Sequence, residues 1–219
     1  MKVMGIHIGL QNYGINIGRK ALYIYFYKCN RKCLYCNIRN DFFSLTKKED
    51  FPDFTIDELI FIVEEYNIKD IVLTGGEPTT IDDITVFVDE LHKRGYNVRL
   101  ETNAKKYHKV YEKVDEVIIN IKTYSAGVPY TQRNMVEKIE ENCKHLTLTC
   151  LIKDIKDFDT LLRFKDYDVW CFLEFDDTDY SKYVYQFLLN PNWRMIIRYD
   201  RIFGVDLENS YRRLKNGTN

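Results

Sequence analysis

The stretch "TIDELIFIVEEYNIKDIVLTGGEP", residues 55–78, predicts one helix, then one strand, then a sharp turn. Thr55 with Glu58 three positions later forms a capping-box pattern, and apolar residues at 56, 59, 60 and 63 share one helical face. The run "IVLT" (71–74) is continuously apolar and ends at two glycines. A helix followed by a buried strand is the repeating unit of a parallel α/β sheet.

The same alternation continues along the chain. Strands are predicted at 22–27, 71–74, 97–101, 117–121, 146–152 and 169–175. Helices are predicted at 55–66, 80–94, 104–112, 131–143, 155–164 and 179–189, with Gly95 as a left-handed cap after the second. Six β-then-α units predict a parallel sheet, closed or partly closed, with helices outside it.

Composition limits the class of protein. The chain has 219 residues, 45% of them hydrophobic, which suits a single domain over 1–219 with a sizeable core. Lysine and arginine total 32 against 33 acidic residues, so the charge gives no support for a nucleic-acid or membrane-surface partner. No stretch reaches the roughly 20 apolar residues of a spanning helix, and "MKVMGIHIGLQNYG" lacks a secretory pattern. We therefore expect a cytoplasmic protein with reduced thiols.

A second stretch, "YFYKCNRKCLYCNI" (25–38), places Cys29, Cys33 and Cys36 within eight positions. A structural zinc site normally needs four protein ligands. A cubic iron–sulfur cluster also usually takes four cysteines, so three would leave one iron open to another ligand. A zinc site or a non-catalytic iron–sulfur module remains an alternative.

The other three cysteines, Cys143, Cys150 and Cys171, fall in separate predicted elements. An auxiliary cluster built from them is an alternative, but we interpret them as small buried hydrophobic residues.

Three polar segments follow predicted strands directly. They are the cysteine loop (28–39), the double glycine at 75–76 and "ETN" at 101–103. Because parallel strands end at the same edge of a sheet, these segments are expected to meet on one rim, where α/β folds place their chemistry.

The motif Cys29-x3-Cys33-x-Tyr35-Cys36, followed one βα unit later by "TGGEP" (74–78), resembles the radical S-adenosylmethionine (SAM) superfamily. The resemblance implies that the three cysteines hold a 4Fe–4S cluster and that SAM binds its open iron. An electron from the cluster would cleave SAM to a 5′-deoxyadenosyl radical, so the cofactor would carry the chemistry. Residues implied to contact SAM are Tyr35, Gly75, Gly76, Glu77, Thr102, Asn103, Asn120 and Lys122.

Within that superfamily the chain resembles the 7-carboxy-7-deazaguanine synthases. The resemblance rests on residues 10–33, on "IINIKT" (118–123) and on "NWRMIIRYDRIFGV" (192–205). It implies a partial (β/α)6 TIM-like barrel with a C-terminal capping strand at 192–205, and a homodimer. It also implies ring contraction of 6-carboxy-tetrahydropterin, with a flavodoxin- or ferredoxin-type electron donor.

The chain departs from that family where the substrate is expected. The family has Glu at Tyr13, Arg at Tyr25, Gln at Arg198 and His at Asp200, so two charged groups are replaced by phenols, which are neutral near pH 7. A changed substrate is therefore an alternative, as is an activase acting on a glycine of a protein. Residues expected to line the substrate are Gln11, Tyr13, Gly14, Tyr25, Arg198 and Asp200.

The resemblance also implies a magnesium ion beside the cluster. The family's Asp-Thr after the third cysteine is here Asn37-Ile38. Isoleucine cannot ligate magnesium, and Asn37 offers one amide oxygen, so a magnesium requirement stays open.

Overall fold

The computed structural model describes residues 1–36, 38, 51–174 and 181–196. Its strands are β1 (Val3–Leu10), β2 (Lys20–Phe26), β3 (Asp70–Gly75), β4 (Asn97–Thr102), β5 (Glu116–Ile121), β6 (Leu146–Ile152), β7 (Val169–Leu173) and β8 (Trp193–Ile196). Its α-helices are α1 (Ile56–Tyr66), α2 (Ile84–Lys93), α3 (Arg133–Glu140), α4 (Asp157–Leu161) and α5 (Ser181–Leu189).

The described strands form one sheet in sequential order from β1 to β8. β1 runs antiparallel to β2, and every later neighbour is parallel. The six predicted strands are confirmed as β2 to β7, and the predicted α/β fold with a partial barrel is confirmed. The sheet curves enough for the ring of Tyr13, after β1, to contact that of Phe172 on β7 at 5.3 Å between centroids.

The outer face of the sheet packs against the helices. Successive strand residues point to opposite faces, so every second residue of the parallel strands belongs to this apolar core. On β2 and β3 the core residues are Leu22, Ile24, Phe26, Ile71 and Leu73, and the helices contribute residues such as Leu59, Phe87 and Ile139.

The inner face is different because it carries polar groups. The side chains in alternation with the core residues include Tyr25, Thr74, Arg99, Glu101, Glu116, Asn120, Thr147 and Thr149. Parallel sheets ordinarily bury apolar residues on both faces. A buried polar face therefore marks the inside of this partial barrel as a place for chemistry rather than for stability alone.

Helix α1 begins as predicted. Thr55 Oγ1 accepts from the backbone N–H of Glu58 at 3.2 Å, and the Glu58 carboxylate accepts from the backbone N–H of Thr55 at 2.8 Å. Gly95 follows α2 with φ +73°, the left-handed conformation expected there. These local patterns hold because their bonds are made within a few residues and need no tertiary partner.

One predicted helix is wrong. Residues 104–112 contain only a 3-10 turn, Lys109–Glu112. Ala104 has φ +47°, and the backbone N–H groups of Ala104 and Lys105 donate to the side-chain oxygens of Thr102 and Asn103 at 3.0 Å. These side-chain oxygens take the place of the backbone carbonyl acceptors of a helix, so the chain forms a turn here instead of a helix.

Two further differences lie at the edges of the sheet. β1 was not predicted, because its alternation of apolar residues with glycine and histidine is a weak strand signal. Of the predicted capping strand at 192–205, β8 accounts for 193–196, Asn192 lies in the turn before it, and 197–205 lie outside the described residues. Residues 175–180, before α5, also lie outside them.

Within the described ranges, every helix is too short or too polar to cross a membrane.

Replacing the cap residue of α1 tests the local argument. Thr55→Ala removes the acceptor for the Glu58 N–H and should lower the free energy of unfolding by about 1 kcal/mol. In a chain of this size that corresponds to a fall in Tm of roughly 2–4 °C, measured by thermal denaturation. Thr85→Ala inside α2 is the matched control and should not lower Tm, since alanine favours helix. An unchanged Tm for Thr55→Ala would contradict the capping role.

Candidate active site

The cysteine loop leaves β2 at Phe26 and is held first by the end of β3. The backbone N–H of Gly76 donates to the Phe26 carbonyl at 2.8 Å, and that of Glu77 donates to the Lys28 carbonyl at 2.7 Å. These bonds continue the pairing of β2 with β3 past the ends of both strands. The start of the loop is therefore fixed relative to the sheet.

The two glycines make this close approach possible. A Cβ on Gly75, whose φ is +98°, would lie 2.5 Å from the Phe26 nitrogen. A Cβ on Gly76 would lie 2.3 Å from the Lys28 carbonyl oxygen. Both distances are shorter than any tolerated contact, so only glycine fits. The family resemblance implies that these glycines contact SAM, and the structure shows that they lie against the cysteine loop itself.

Glu77 joins β3 to β4 through a carboxylate that is 1% exposed. Its Oε1 accepts from the hydroxyls of Thr79 at 2.7 Å and Thr102 at 2.8 Å, while Oε2 accepts from the backbone N–H of Asn103 at 2.7 Å. These donors satisfy a charge that would otherwise be costly to bury. Glu77 and Thr102 therefore meet on the rim as expected, but their side chains bond to each other.

Asn103 extends the connection from β4 to the cysteine loop. Its Nδ2 donates to Asn30 Oδ1 at 2.9 Å, and its Oδ1 accepts from Arg31 Nε at 3.1 Å. Arg31 Nη1 also donates to the Pro129 carbonyl at 2.6 Å, which lies after β5. The basic residue within the cysteine loop thus acts as a cross-link between strand ends.

The segment after β5 contacts the second half of the loop. The backbone N–H of Leu34 donates to the Ala126 carbonyl at 2.9 Å, and a Cβ on Gly127 would overlap the Leu34 side chain. The cysteine loop is therefore attached to the ends of three consecutive strands, β3, β4 and β5. The predicted meeting of these segments on one rim is confirmed.

Lys122 and Tyr35 lie together beside the thiols. The Lys122 ammonium donates to Asn120 Oδ1 at 2.6 Å and lies 5.7 Å from the centre of the Tyr35 ring. Burial lowers the pKa of Lys122, while the nearby thiols of Cys33, Cys150 and Cys29 act in the opposite direction. Burial also disfavours the charged form of Tyr35, which for a phenol raises the pKa. The Tyr35 hydroxyl has no hydrogen-bond partner among the described residues.

The three thiols themselves differ in exposure. Cys33 is buried, Cys36 is half-buried and Cys29 is exposed, with its sulfur accepting from the Arg31 N–H at 3.5 Å. In the described part of the chain, no three His, Cys, Asp or Glu side chains converge on a point that could hold a single metal ion. Three thiols on one loop, with the other cysteines on other elements, are a donor set that fits a cubic cluster with one iron left open.

The remaining cysteines are placed largely as expected. Cys150 and Cys171 face each other in register on β6 and β7 and are fully buried in the outer core. Cys143 is different because it follows α3 and is partly exposed, so its interpretation as a buried residue is wrong. None of the chain's six cysteines, all of them described, forms a disulfide.

A charged cluster that the sequence reasoning missed lies inside the barrel. Arg99 is 4% exposed, and its Nε and Nη2 lie 3.9 Å from Glu116 and 3.7 Å from Glu101. The register of the sheet causes this, because Arg99 pairs with Glu116 across β4 and β5. The available signal was a charge within otherwise apolar strands, in "NVRLET" and "EVIINI".

The predicted substrate residues Gln11, Tyr13 and Gly14 contact this cluster. Arg99 Nη1 donates to Gln11 Oε1 at 3.0 Å and to the Tyr13 carbonyl at 2.8 Å. The Tyr13 hydroxyl donates to Glu101 at 2.6 Å, and a Cβ on Gly14 would overlap the Glu116 carboxylate. Burial, together with the Glu101 charge, raises the pKa of Tyr13 well above its ordinary value.

The other predicted residues fall in two groups. Tyr25 lies on the inner face of β2, stacked on His7 with 5.1 Å between ring centres. Asn120 also lies on that face and donates to Thr149 Oγ1 at 3.3 Å. Asn37, Arg198 and Asp200 lie outside the described residues.

Comparisons with known proteins agree with this geometry. The family model described as the Radical SAM superfamily matches residues 23–124, which include the cysteine loop, "TGGEP" and "ETN". The crystal structure of QueE from Escherichia coli superposes with a TM-score of 0.68 at 17% identity, covering 90% of this chain and 93% of that chain. At that identity the structural match supports the fold alone.

Two curated relatives are both named 7-carboxy-7-deazaguanine synthase. The one from Bacteroides thetaiotaomicron is 36% identical over 106 residues, or 48% of this chain and 53% of the relative. The one from Thermoplasma acidophilum is 26% identical over 166 residues, or 76% of this chain and 77% of the relative. The chain spans about half the length of the first curated relatives it matches. Residues 23–124 therefore match the Radical SAM superfamily, and the chain resembles the 7-carboxy-7-deazaguanine synthases within it.

Proposed function

We propose that this chain is a radical SAM enzyme acting on a small heterocyclic substrate. The proposed reaction is ring contraction of 6-carboxy-tetrahydropterin to 7-carboxy-7-deazaguanine, as the names of its relatives suggest. The observation that carries the proposal is a loop with three thiols, anchored to the ends of β3, β4 and β5. When bound, a 4Fe–4S cluster would supply the electron and the open iron for reductive cleavage of SAM.

In this proposal Cys29, Cys33 and Cys36 hold the cluster and the rim around them holds SAM. The carboxylate of Glu77 is occupied by protein donors, so the segment Gly75–Glu77 would meet SAM through its backbone. Thr102 and Asn103 would shape the same edge, and Tyr35, Asn120 and Lys122 would contact SAM from the β5 side. The buried hydroxyl of Tyr35, with no partner in the described part of the chain, supports its assignment to a ligand contact.

The substrate would occupy the polar inner face of the barrel. Gln11, Tyr13, Gly14 and Tyr25 line it, and we extend the set to Arg198 and Asp200 only from the family resemblance. Tyr13 and Tyr25 are uncharged where the family carries charges, and this observation favours a second candidate, a radical SAM enzyme with a changed substrate. Rejection of a wrong ligand depends strongly on such buried polar partners.

Several features support the proposed partners and setting. Ile8 and Leu10 on β1 and Ile15 and Ile17 after it are exposed apolar side chains, which suit contact with a second copy of the chain. Lys28 and Lys32 are exposed beside Cys29 and suit an acidic electron donor of the flavodoxin or ferredoxin type. Cysteines without disulfides suit a reducing cytoplasm. A magnesium requirement stays open, because Asn37 lies outside the described residues.

Anaerobic turnover tests the proposed reaction directly. Reconstituted protein supplied with a reductant, SAM and 6-carboxy-tetrahydropterin should yield both 5′-deoxyadenosine and 7-carboxy-7-deazaguanine, identified by mass spectrometry. If 5′-deoxyadenosine forms without the deazaguanine, the pterin is not the substrate and the second candidate is favoured. If neither product forms from iron-loaded protein, the radical SAM activity itself is contradicted.

The cluster assignment is tested by Cys33→Ala, with Cys143→Ala as the matched control. Cys33→Ala should lose nearly all cluster iron, visible colour and spin-resonance signal, because two thiolates do not hold a cubic cluster. Cys143 lies after α3, apart from the cysteine loop, so Cys143→Ala should keep the iron content of the wild type. Equal iron in the two variants would contradict the assignment.

Gly76→Ala tests the anchoring of the loop without touching a thiol. The added methyl would lie 2.3 Å from the Lys28 carbonyl, so the loop must move away from β3. We expect at least a fivefold loss of iron per chain after reconstitution. That loss corresponds to a cost of about 1 kcal/mol for moving the loop away from β3. The control, Gly95→Ala, strains a positive φ in open space and should lower Tm while retaining iron. Full iron loading of Gly76→Ala would exclude this anchoring role.

A further inference from the structure

Arg99 and Glu101 contact both ends of the short segment Gln11–Tyr13 from inside the barrel. Arg99 binds the Gln11 side chain and the Tyr13 carbonyl, and its guanidinium lies 4.5 Å from the centre of the Tyr13 ring. Glu101 accepts from the Tyr13 hydroxyl on one oxygen and from the Thr74 hydroxyl, at 2.7 Å, on the other. The orientation of two side chains assigned above to the substrate is therefore set by two charged residues of β4.

We infer that Arg99 and Glu101 are positioning residues that fix the hydrogen-bond polarity of the substrate chamber. Gln11 then presents an amide N–H donor, and Tyr13 presents a hydroxyl oxygen as acceptor. The inference rests on the proposed function, in which Gln11 and Tyr13 contact the substrate.

The orientation of Gln11 follows from the chemistry of its partner. A guanidinium carries only donors, so the Gln11 atom that faces Arg99 must be the amide oxygen. The Nε2 group of Gln11 makes no hydrogen bond with Arg99, and it is buried without a hydrogen-bond partner among the described residues. A buried amide N–H group is retained at such a cost only where something accepts from it. The ligand atom opposite Gln11 is therefore an acceptor.

The polarity of Tyr13 follows in the same way. A carboxylate only accepts, so the bond of 2.6 Å to Glu101 uses the single proton of the phenol. The raised pKa of Tyr13 agrees with a proton held between these two groups. Only lone pairs remain on the hydroxyl for a ligand. Tyr13 therefore presents an acceptor to a ligand.

Together these atoms favour a ligand edge that carries both an acceptor and an N–H donor, as a lactam or ring amide does. A carboxylate has only acceptors, so it would place its lone pairs against those of the Tyr13 hydroxyl. Its negative charge would also be repelled by Glu101 behind that hydroxyl, so a carboxylate is disfavoured there. In a substrate with a carboxylate and a lactam, the lactam edge would face Gln11 and Tyr13.

The test combines a structural readout with kinetics. Protein labelled with 3-fluorotyrosine gives one fluorine resonance for position 13, assigned as the signal absent from Tyr13→Phe. In Glu101→Gln this resonance should shift and titrate at lower pH than in wild type, because the charge that holds the phenol proton is gone. Glu90→Gln, which removes a carboxylate from an exposed ion pair with Lys93 and Arg94, should leave it unmoved.

The kinetic arm uses reconstituted enzyme, SAM and 6-carboxy-tetrahydropterin. Glu101→Gln should raise KM about tenfold with a smaller change in kcat, as loss of one oriented polar contact does. The double variant Tyr13→Phe/Glu101→Gln should stay within about twofold of Tyr13→Phe, because Glu101 acts through Tyr13. Additive losses in the double variant would overturn the inference.

The two arms separate failure of the inference from failure of the proposed function. If wild type makes no deazaguanine, the proposed reaction fails and the fluorine resonance alone decides the inference. If the Tyr13 resonance is the same in Glu101→Gln and wild type, the inference is overturned whatever the turnover. Where Glu101→Gln does not fold, Glu101→Asp keeps the charge beside Arg99 but withdraws the acceptor from Tyr13, so the resonance should still shift and KM should rise, with a smaller fall in the titration pH.

Discussion

The position of the cysteine loop depends on one buried carboxylate and the two glycines before it. Gly75 and Gly76 let the end of β3 lie against the backbone of the loop, and Glu77 then binds across to Thr102 and Asn103 on β4. A carboxylate in that location is stable only because donors surround it, so the three strand ends and the loop form one connected network. Displacing any member leaves a charge or a carbonyl without its partner.

The sheet separates stability from chemistry by its two faces. Alternate residues of each strand supply an apolar outer core under the helices, while the residues between them line a polar interior. Because the cysteine loop is held by the rim, the residues of the interior can change without moving the thiols. This separation explains how the cluster motif can match the superfamily while Tyr13 and Tyr25 depart from the related synthases.

Much of the fold followed from local patterns, since the capping box of α1 and the apolar strands depend on neighbours in sequence. The predicted helix at 104–112 failed because Thr102 and Asn103 bind the following backbone N–H groups, a competition that hydrophobic periodicity does not register. The rim was predictable because its motifs follow strands. The interior pairing of Arg99 with Glu116 was not predictable. A charged residue within a strand is ordinarily assigned to the solvent-facing side, and only the register of β4 with β5 shows that Arg99 and Glu116 are partners.

The charge of the interior also accounts for a phenol at position 13. Arg99 lies between Glu101 and Glu116, so one guanidinium already faces two carboxylates in a buried site. A glutamate at 13, as in the related family, would bring a third carboxylate against that single positive charge, and like charges at short range disfavour ionisation strongly. Tyrosine keeps the hydrogen bond to Glu101 and adds no charge, while its ring covers the guanidinium. The departure at Tyr13 is therefore coupled to the charges on β4 and β5, because a neutral residue there adds no further negative charge to one guanidinium and two carboxylates.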